Sequence, residues 1–206
     1  MDVIRFVLAD HFRWAIHSAL LFAVGLFVAW PVVRYRLTGV AWLPRRIFDF
    51  VLWLMGDCPS VARIALVIFV FNALVMFLQM SSGVHSFVPK VLAIWTGMNV
   101  GIMAGFSGNA NEVIRSAGRA DGGWIPSRGL TLICSLLVLV LELPCYFYAV
   151  AMGLRLGHLV QGNAGYLAAW APRAMGYAVL IAPTLLVSAT TEAISIRGAA
   201  ARSVPR

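Results

Sequence analysis

The sequence is poor in charged residues, and this shortage excludes most classes of soluble protein. Only 12% of its 206 residues are charged, whereas 61% are apolar and the mean hydropathy is +0.87. A soluble domain carries roughly a quarter of its residues as charges, because its surface must be polar. We therefore predict that residues 1–206 form a single integral membrane domain with no soluble domain.

Acidic residues are especially scarce, and the resulting excess of positive charge needs an explanation. Eight Asp and Glu residues stand against 16 Lys and Arg residues, so the formal net charge is +8. A protein that binds nucleic acid collects such charges on one face or along a patch. Here they lie at the edges of apolar runs, as membrane proteins place them, and we predict no binding to nucleic acid.

Cysteines are few, and motifs for catalysis or metal binding are missing. Cys134 and Cys145 fall on one predicted helix, about 16 Å apart along its axis, which is too far for a disulfide. The sequence has no phosphate-binding loop, no H-E-x-x-H and no G-x-S-x-G, and its four histidines are scattered. We therefore predict that the protein is not an enzyme and has no metal site and no cofactor.

Long apolar runs are what the sequence has in abundance, and five of them can cross about 30 Å of hydrocarbon. These spans lie at about 14–33, 63–80, 88–106, 130–152 and 175–194. The fold class that follows is an all-α membrane protein, a polytopic bundle of about five transmembrane helices.

The segment between the first two spans has a different character. Nine mainly apolar residues, Ile47–Met55, follow the pair Arg45 and Arg46 and include Trp53. They are too few to cross the bilayer, and an apolar stretch next to arginines is typical of a helix in the membrane interface. We predict a short interfacial helix here.

Basic residues also predict the orientation of the bundle. Eleven of them fall on the side of the first and third loops between spans and of the C-terminus, and five fall on the opposite side. The richer side is expected to face the cytoplasm. We predict a multi-pass protein of the inner (cytoplasmic) membrane with its C-terminus inside, unless a re-entrant segment lies between Arg155 and Arg173.

Three glycines of the third span recur at intervals of four residues, which places Gly97, Gly101 and Gly105 on one face of the helix. Such a face lets a neighbouring helix approach closely, and close packing drives helix association in lipid. The face predicts either packing within the bundle, which we favour, or an interface between copies of the chain.

Glu142 is the most informative polar residue, because it lies near the middle of the fourth span. A carboxylate there costs roughly 2.5–3.5 kcal/mol on insertion scales, so it must pair, face water or be protonated. Pro144 frees the carbonyl of Val140, and Glu142 could satisfy that carbonyl. The alternatives are a proton-linked site or part of a substrate path, with Asn72 of the second span as the nearest plausible partner.

Three further charged residues are candidates of lesser weight. Glu192 lies close to the end of the fifth predicted span, from which its carboxyl can reach the headgroups. Arg155 and Arg173 flank the last loop between spans, and we expect both guanidinium groups to extend to the interface rather than to bind a substrate.

Short motifs in the second half of the chain resemble those of a known family, the stage II sporulation protein M family. Glu142–Cys145 (Glu-Leu-Pro-Cys) and Gly153–Gly157 (Gly-Leu-Arg-Leu-Gly) resemble its ELPA and GLRLG signatures. Asn72 resembles the asparagine that opens its membrane core, and Ala182–Ala193 resembles its C-terminal segment of small residues ending near a glutamate.

The resemblance covers about residues 62–196 and has departures. Val138 and Leu139 stand where the family usually has His-Gly, so no role of that histidine is carried over. The polar segment after the first span is also shorter than is typical of the family.

The resemblance implies a non-catalytic subunit, since the family's namesake is a multi-pass scaffold for peptidoglycan hydrolases. We predict a scaffold within a membrane complex, in contact with membrane lipids and with other protein subunits such as a peptidoglycan-associated enzyme. Its docking surfaces would be Arg34–Ser60 and Ser107–Arg128. The alternative is the membrane (permease) subunit of an ABC-type exporter, paired with a separate ATPase chain and possibly a homodimer through the glycine face.

Overall fold

The computed structural model describes residues 9–56, 59–105 and 126–203, and within these ranges the chain forms helices and no β-strand. Seven α-helices follow one another, with a short π-helical turn, Tyr177–Ile181, before the last of them. Their bounds are α1 Phe12–Arg34, α2 Thr38–Met55, α3 Val61–Ser81, α4 Phe87–Gly105, α5 Arg128–Gln161, α6 Tyr166–Gly176 and α7 Ala182–Ser203.

Within the described part of the chain, five segments are long and apolar enough to cross a membrane, and this confirms the predicted all-α membrane fold. Four are single helices, namely α1, α3, α4 and α5, and the fifth is the continuous run Tyr166–Ala200. The ends of α1, α3 and α4 lie within two residues of the predicted spans, except that residue 106 is outside the described ranges.

The fourth span is longer than predicted. Helix α5 has 34 residues, about 51 Å at the α-helical rise, and ends at Gln161 rather than near 152. The glycines at 153 and 157 pack closely against other segments, and the helix passes through both. The chain turns only at Asn163, whose φ of 69° is left-handed.

The fifth span also begins earlier, at Tyr166 instead of 175. Helix α6 continues through the π-helical turn into α7, so the structure has one helical run here and not a re-entrant segment. Pro183 is the second residue after the turn and has no N–H to donate. A wider turn just before a proline is a usual way to accommodate the missing hydrogen bond.

The interfacial helix is twice as long as predicted, because α2 begins at Thr38 and continues past Pro44. Its first half packs into a cluster with the C-terminal parts of α1 and α4, where Ala41 meets Ala29 and Ile102. Its last residue, Met55, belongs to a second cluster with α3 and α7. Helix α2 therefore connects two groups of spans, the pair α1–α4 and the trio α3–α5–α7.

An arginine fixes the end of α2. The Nε and Nη2 atoms of Arg63 donate to the carbonyl oxygen of Leu54 at 3.2 and 3.0 Å. A cation at this position stabilises the negative end of a helix. Gly56 follows with a φ of 75°, and a Cβ there would touch the same guanidinium group.

Close contacts establish the direction of each span. Helices α1 and α4 are parallel, since Phe22 lies against Gly97 and Ala29 lies one to two turns later against Gly101. Helices α3 and α5 are parallel to each other, and α7 runs opposite to α5. The directions alternate along the chain, so α2, the end of α4, the start of α5 and the end of α7 share one side. That this side is cytoplasmic stays a prediction.

Candidate functional site

The candidate site begins with one hydrogen bond between two spans. The Nδ2 atom of Asn72 on α3 donates to Oε1 of Glu142 on α5 at 2.9 Å. Both side chains are half-buried in runs that are otherwise almost wholly apolar. The structure thus brings together the two mid-span polar residues that the sequence singled out. A hydrogen bond of this kind between two spans stabilises their contact.

Helix α7 adds a second carboxyl to this pair. Glu192 lies close enough to Glu142 for the two groups to interact electrostatically. The helix continues to Ser203, so Glu192 lies eleven residues before its end and is half-buried in the bundle. That its carboxyl reaches the headgroups stays a prediction, although the helix extends beyond the predicted end of the span near 194.

Hydroxyl groups on α7 line the same contact with α5. The hydroxyl of Thr184 lies within hydrogen-bonding reach of the thiol of Cys145. Towards the other end of the helices, the Oγ atoms of Ser195 and Ser135 are 2.6 Å apart. Small and polar side chains therefore form a continuous stripe along the α5–α7 contact.

Ser188 occupies the middle of this stripe. The antiparallel register set by Thr184 with Cys145 and by Ser195 with Ser135 places Ser188 beside Glu142. Its side chain is 1% exposed, and its Oγ has no hydrogen-bond partner. A buried hydroxyl without a partner costs roughly 1–3 kcal/mol. We call Asn72, Glu142, Ser188 and Glu192 the polar junction.

Pro144 lies beside the junction but not in it. Its ring is exposed on the surface of α5, which continues through it as a helix. One predicted role for Glu142 was to satisfy the carbonyl that Pro144 frees at Val140. The structure gives the Glu142 carboxyl a different partner, the Asn72 amide.

The glycine face of α4 packs within the chain. A Cβ on Gly97 would lie 2.2 Å from the carbonyl oxygen of Phe22, so the backbones of α1 and α4 touch there. Gly25 of α1 makes the reciprocal contact with Ile94. Gly101 and Gly105 lie against side chains further along α1. Since α1 covers this face, an interface between copies of the chain would have to use another surface.

The Gly-Leu-Arg-Leu-Gly motif is a packing device in α5. A Cβ on Gly153 would lie 2.3 Å from the carbonyl oxygen of Gln79, and one on Gly157 would lie 2.7 Å from Cα of Ser86. Gly83, in the turn after α3, packs against the Gly153–Gly157 stretch of α5. The motif lets the turn between α3 and α4 rest directly on α5, and Arg155 lies half-buried between the two glycines.

Arg173 does not extend to the interface as predicted. It is 3% exposed, and its guanidinium donates to the carbonyl of Ala169 one turn earlier. It also lies near Arg155, close enough for the two positive charges to repel. The prediction failed because the helix begins at Tyr166, which moves Arg173 from a loop into the packed run.

A second polar group, around Gln79, was missed by the sequence analysis. Gln79 is buried near the end of α3, and its Nε2 donates to Oγ1 of Thr96 at 2.8 Å and, less closely, to the hydroxyl of Tyr146. That hydroxyl donates to the carbonyl of Ala93. The signal that singled out Asn72, an amide in an apolar run, was also present at Gln79. The group ties α3, α4 and α5 together.

The exposed face of α2 carries large aromatic side chains around an arginine. Trp42, Arg46, Phe50 and Trp53 follow at intervals of three or four residues, so they form one stripe on the helix. Arg46 lies over the ring of Trp42, and the rings of Phe50 and Trp53 stack with centroids 5.8 Å apart. Trp53 is 72% exposed. We call these four residues the α2 stripe.

Comparison with known proteins gives one match. The model of the stage II sporulation protein M family matches residues 18–195, which is most of the chain. No curated protein and no solved structure matches this chain. Within the described ranges, no group of three or more histidine, cysteine, aspartate or glutamate side chains could hold a metal ion.

Proposed function

We propose that this chain, which belongs to the stage II sporulation protein M family, is a non-catalytic multi-pass subunit that scaffolds a membrane complex. It would lie in the cytoplasmic membrane with α2 and the C-terminus on the cytoplasmic side. The second predicted docking surface, Ser107–Arg128, lies almost wholly outside the described residues.

The observation that carries this proposal is the α2 stripe. Tryptophan, arginine and phenylalanine are enriched at protein interfaces, and a cluster of them in one stripe resembles the centre of a binding surface. Arg63 and two apolar clusters hold the helix in place. A rigid surface loses little conformational entropy when a partner binds. The partner would be another subunit of the complex, such as a peptidoglycan-associated enzyme.

The interior of the bundle supports a structural role as well. The polar side chains described there largely bond to one another across helices, as Asn72 does to Glu142 and Gln79 to Thr96. Interhelical hydrogen bonds of this kind stabilise membrane bundles by roughly 0.6–2 kcal/mol each.

Photo-crosslinking in native cells tests the proposal. Trp53 is replaced by a photoreactive phenylalanine analogue, and Phe27, which is similarly exposed in the middle of α1, is the matched control. We expect position 53 to capture a wall enzyme or another effector and position 27 to capture none. Adducts with lipid alone at position 53 would contradict a docking role for the α2 stripe.

A second function, the membrane subunit of an ABC-type exporter, is favoured by the polar junction. Half-buried carboxyls in mid-span often mark the path of a transported ion or substrate, and Glu142 and Glu192 are near enough to interact electrostatically there. Capture of an ATPase at position 53 in the same experiment would support this function and replace the scaffold. Such an exporter would have to pair through a surface other than the glycine face, which α1 covers.

A further inference from the structure

The turn between α1 and α2 places positive charge next to exposed apolar side chains. We propose that this turn and the adjoining edge of α2 bind one anionic phospholipid, whose phosphate lies against Arg34 and Arg36. The proposal concerns a surface other than the α2 stripe. It holds whether the chain scaffolds a complex or forms part of an exporter.

The first argument concerns charge. Arg34 and Arg36 are both exposed, and neither side chain makes a hydrogen bond or an ion pair in the part of the chain that the structure describes. The sequence has no acidic residue between Asp10 and Asp49. Two guanidinium groups without a carboxylate are complementary to a phosphate, which arginine binds through paired hydrogen bonds.

The second argument comes from the backbone at Arg36. The N–H of Leu37 donates to the carbonyl of Val32 at 2.9 Å, and the N–H of Arg36 donates to that of the next residue, Val33, at 3.3 Å. This pair of bonds usually ends a helix with a glycine in the left-handed conformation. Arg36 occupies that position with a φ of 50°. A side chain is unfavourable there, and an unfavourable residue at such a site points to a use that compensates for it.

The third argument is that apolar side chains lie beside the arginines. Val40, Leu43, Ile47 and Leu54 are three, four and seven residues apart, so they share one face of α2. We call these four residues the apolar edge. Val40 is 46% exposed and Leu43 is 41% exposed. At about 100° per residue, the apolar edge lies roughly a quarter turn round the helix from the α2 stripe.

A phospholipid has the same arrangement of charge and apolar surface. Its phosphate would meet Arg34 and Arg36, and an acyl chain would cover the apolar edge, which begins four residues after Arg36. Tyr35 lies exposed between the two arginines, and tyrosine is a residue that membrane proteins place at the level of the headgroups. A soluble phosphate would contact the arginines alone. The lipid is anionic because a zwitterionic headgroup carries its own cation, which competes with the arginines for the phosphate.

Native mass spectrometry of the purified full-length protein in detergent tests the proposal. The Kd of the first bound lipid is measured for dioleoyl phosphatidylglycerol and for dioleoyl phosphatidylcholine, which has the same chains and no net charge. We expect phosphatidylglycerol to bind at least about fivefold more tightly, which is the effect of one basic residue near an anionic surface. Equal Kd values would overturn the proposal. Displacement of the lipid by an equal concentration of glycerol phosphate, which lacks the chains, would also overturn it.

Variants locate the site. Arg34→Gln should weaken the binding of phosphatidylglycerol about fivefold, and its combination with Arg36→Gln should weaken it about 25-fold. The matched control is Arg128→Gln, which removes an exposed arginine on the same side of the bundle and should keep the wild-type Kd. Equal weakening in the control would show that the lipid responds to overall charge and would refute the site. Leu43→Gln should weaken the binding of both lipids, and unchanged binding would refute contact with the apolar edge.

Arg36→Gly separates a ligand-binding role of this arginine from a structural one. Glycine relieves the left-handed strain, so the variant should have a higher Tm than the wild type in micelles containing phosphatidylcholine. Replacing phosphatidylcholine by phosphatidylglycerol should raise the Tm of the wild type, because a ligand that binds the folded state stabilises it. The rise should be smaller in the variant.

A lower Tm of Arg36→Gly in phosphatidylcholine would show that the arginine stabilises the turn itself, and this would overturn the proposal. An equal rise in the wild type and the variant would overturn it as well. The purified chain is used alone in these experiments, so their results do not depend on any protein partner of the α2 stripe.

Discussion

The contact between α1 and α4 gives a prediction whose size can be worked out from distances. A Cβ on Gly97 would lie 2.2 Å from the carbonyl oxygen of Phe22, whereas an ordinary contact of this kind begins at 3.4 Å. The obstacle is backbone, so it cannot rotate away as a side chain can. In Gly97→Ala the helices would have to separate by roughly 1 Å, and a gap of that size removes a quarter to a half of the dispersion energy of the contacting atoms.

The expected cost follows from two opposing effects. Inserting a methyl group into a well-packed contact costs up to about 3 kcal/mol, and we take the upper end because the backbone must move. Alanine is a better helix former than glycine by about 1 kcal/mol. We therefore expect Gly97→Ala to lower the free energy of unfolding by about 2 kcal/mol.

The assay is unfolding of the purified protein in mixed micelles on addition of sodium dodecyl sulfate, followed by tryptophan fluorescence. Gly101→Ala should also destabilise the pair, because its Cβ would lie 2.5 Å from the Cβ of Ala29, which cannot rotate away. Gly129→Ala is the control, since nothing lies within 4 Å of a Cβ there. If Gly97→Ala were as stable as Gly129→Ala, backbone contact between α1 and α4 would not be what stabilises the pair.

Three further predictions concern other contacts. Gly153→Ala should lower the Tm, with a loss of about 2 kcal/mol, because its Cβ would meet the carbonyl of Gln79; an unchanged Tm would contradict the packing role of the motif. Arg63→Gln should speed amide hydrogen exchange in α2, corresponding to about 1 kcal/mol for an exposed charge-assisted bond; unchanged exchange would show that Arg63 does not hold the helix end. Glu142→Ala should lose function in a complementation assay while Glu142→Gln still folds, and wild-type behaviour of both would make the residue incidental.

Hydropathy predicted the number of spans because the membrane sets a minimum length for each apolar run. The pairing of Asn72 with Glu142 was foreseeable for a related reason, since polar side chains in mid-span have few possible partners. The ends of the helices were less predictable. Gly153 and Gly157 lie in the part of α5 beyond its predicted end, and their close neighbours Gln79 and Ser86 are known only from the structure.

The rest of the polar junction depends on helix register, which a single sequence does not reveal. Ser188 is one of many small residues in its span, and it became a candidate only because α7 packs antiparallel on α5 with Gly198 against Thr131. Glu192 lies further from the end of its helix than predicted, because the last helix continues to Ser203 and does not end near 194. The glycines at 97, 101 and 105 predicted close packing. Only the structure shows that α1 is the helix that packs against them.

The parallel pairing of α1 with α4 has a consequence for how the protein is made. The contacting residues Phe22 and Gly97 are more than seventy residues apart, and α2 and α3 are synthesised between them. During translation, α1 is therefore made well before α4. The Gly25 face of α1 stays exposed to lipid until α4 has been synthesised and has entered the bilayer. A chain stopped after α3 would present that face without its partner, so membrane chaperones and quality-control proteases would meet α1 first in a truncated product.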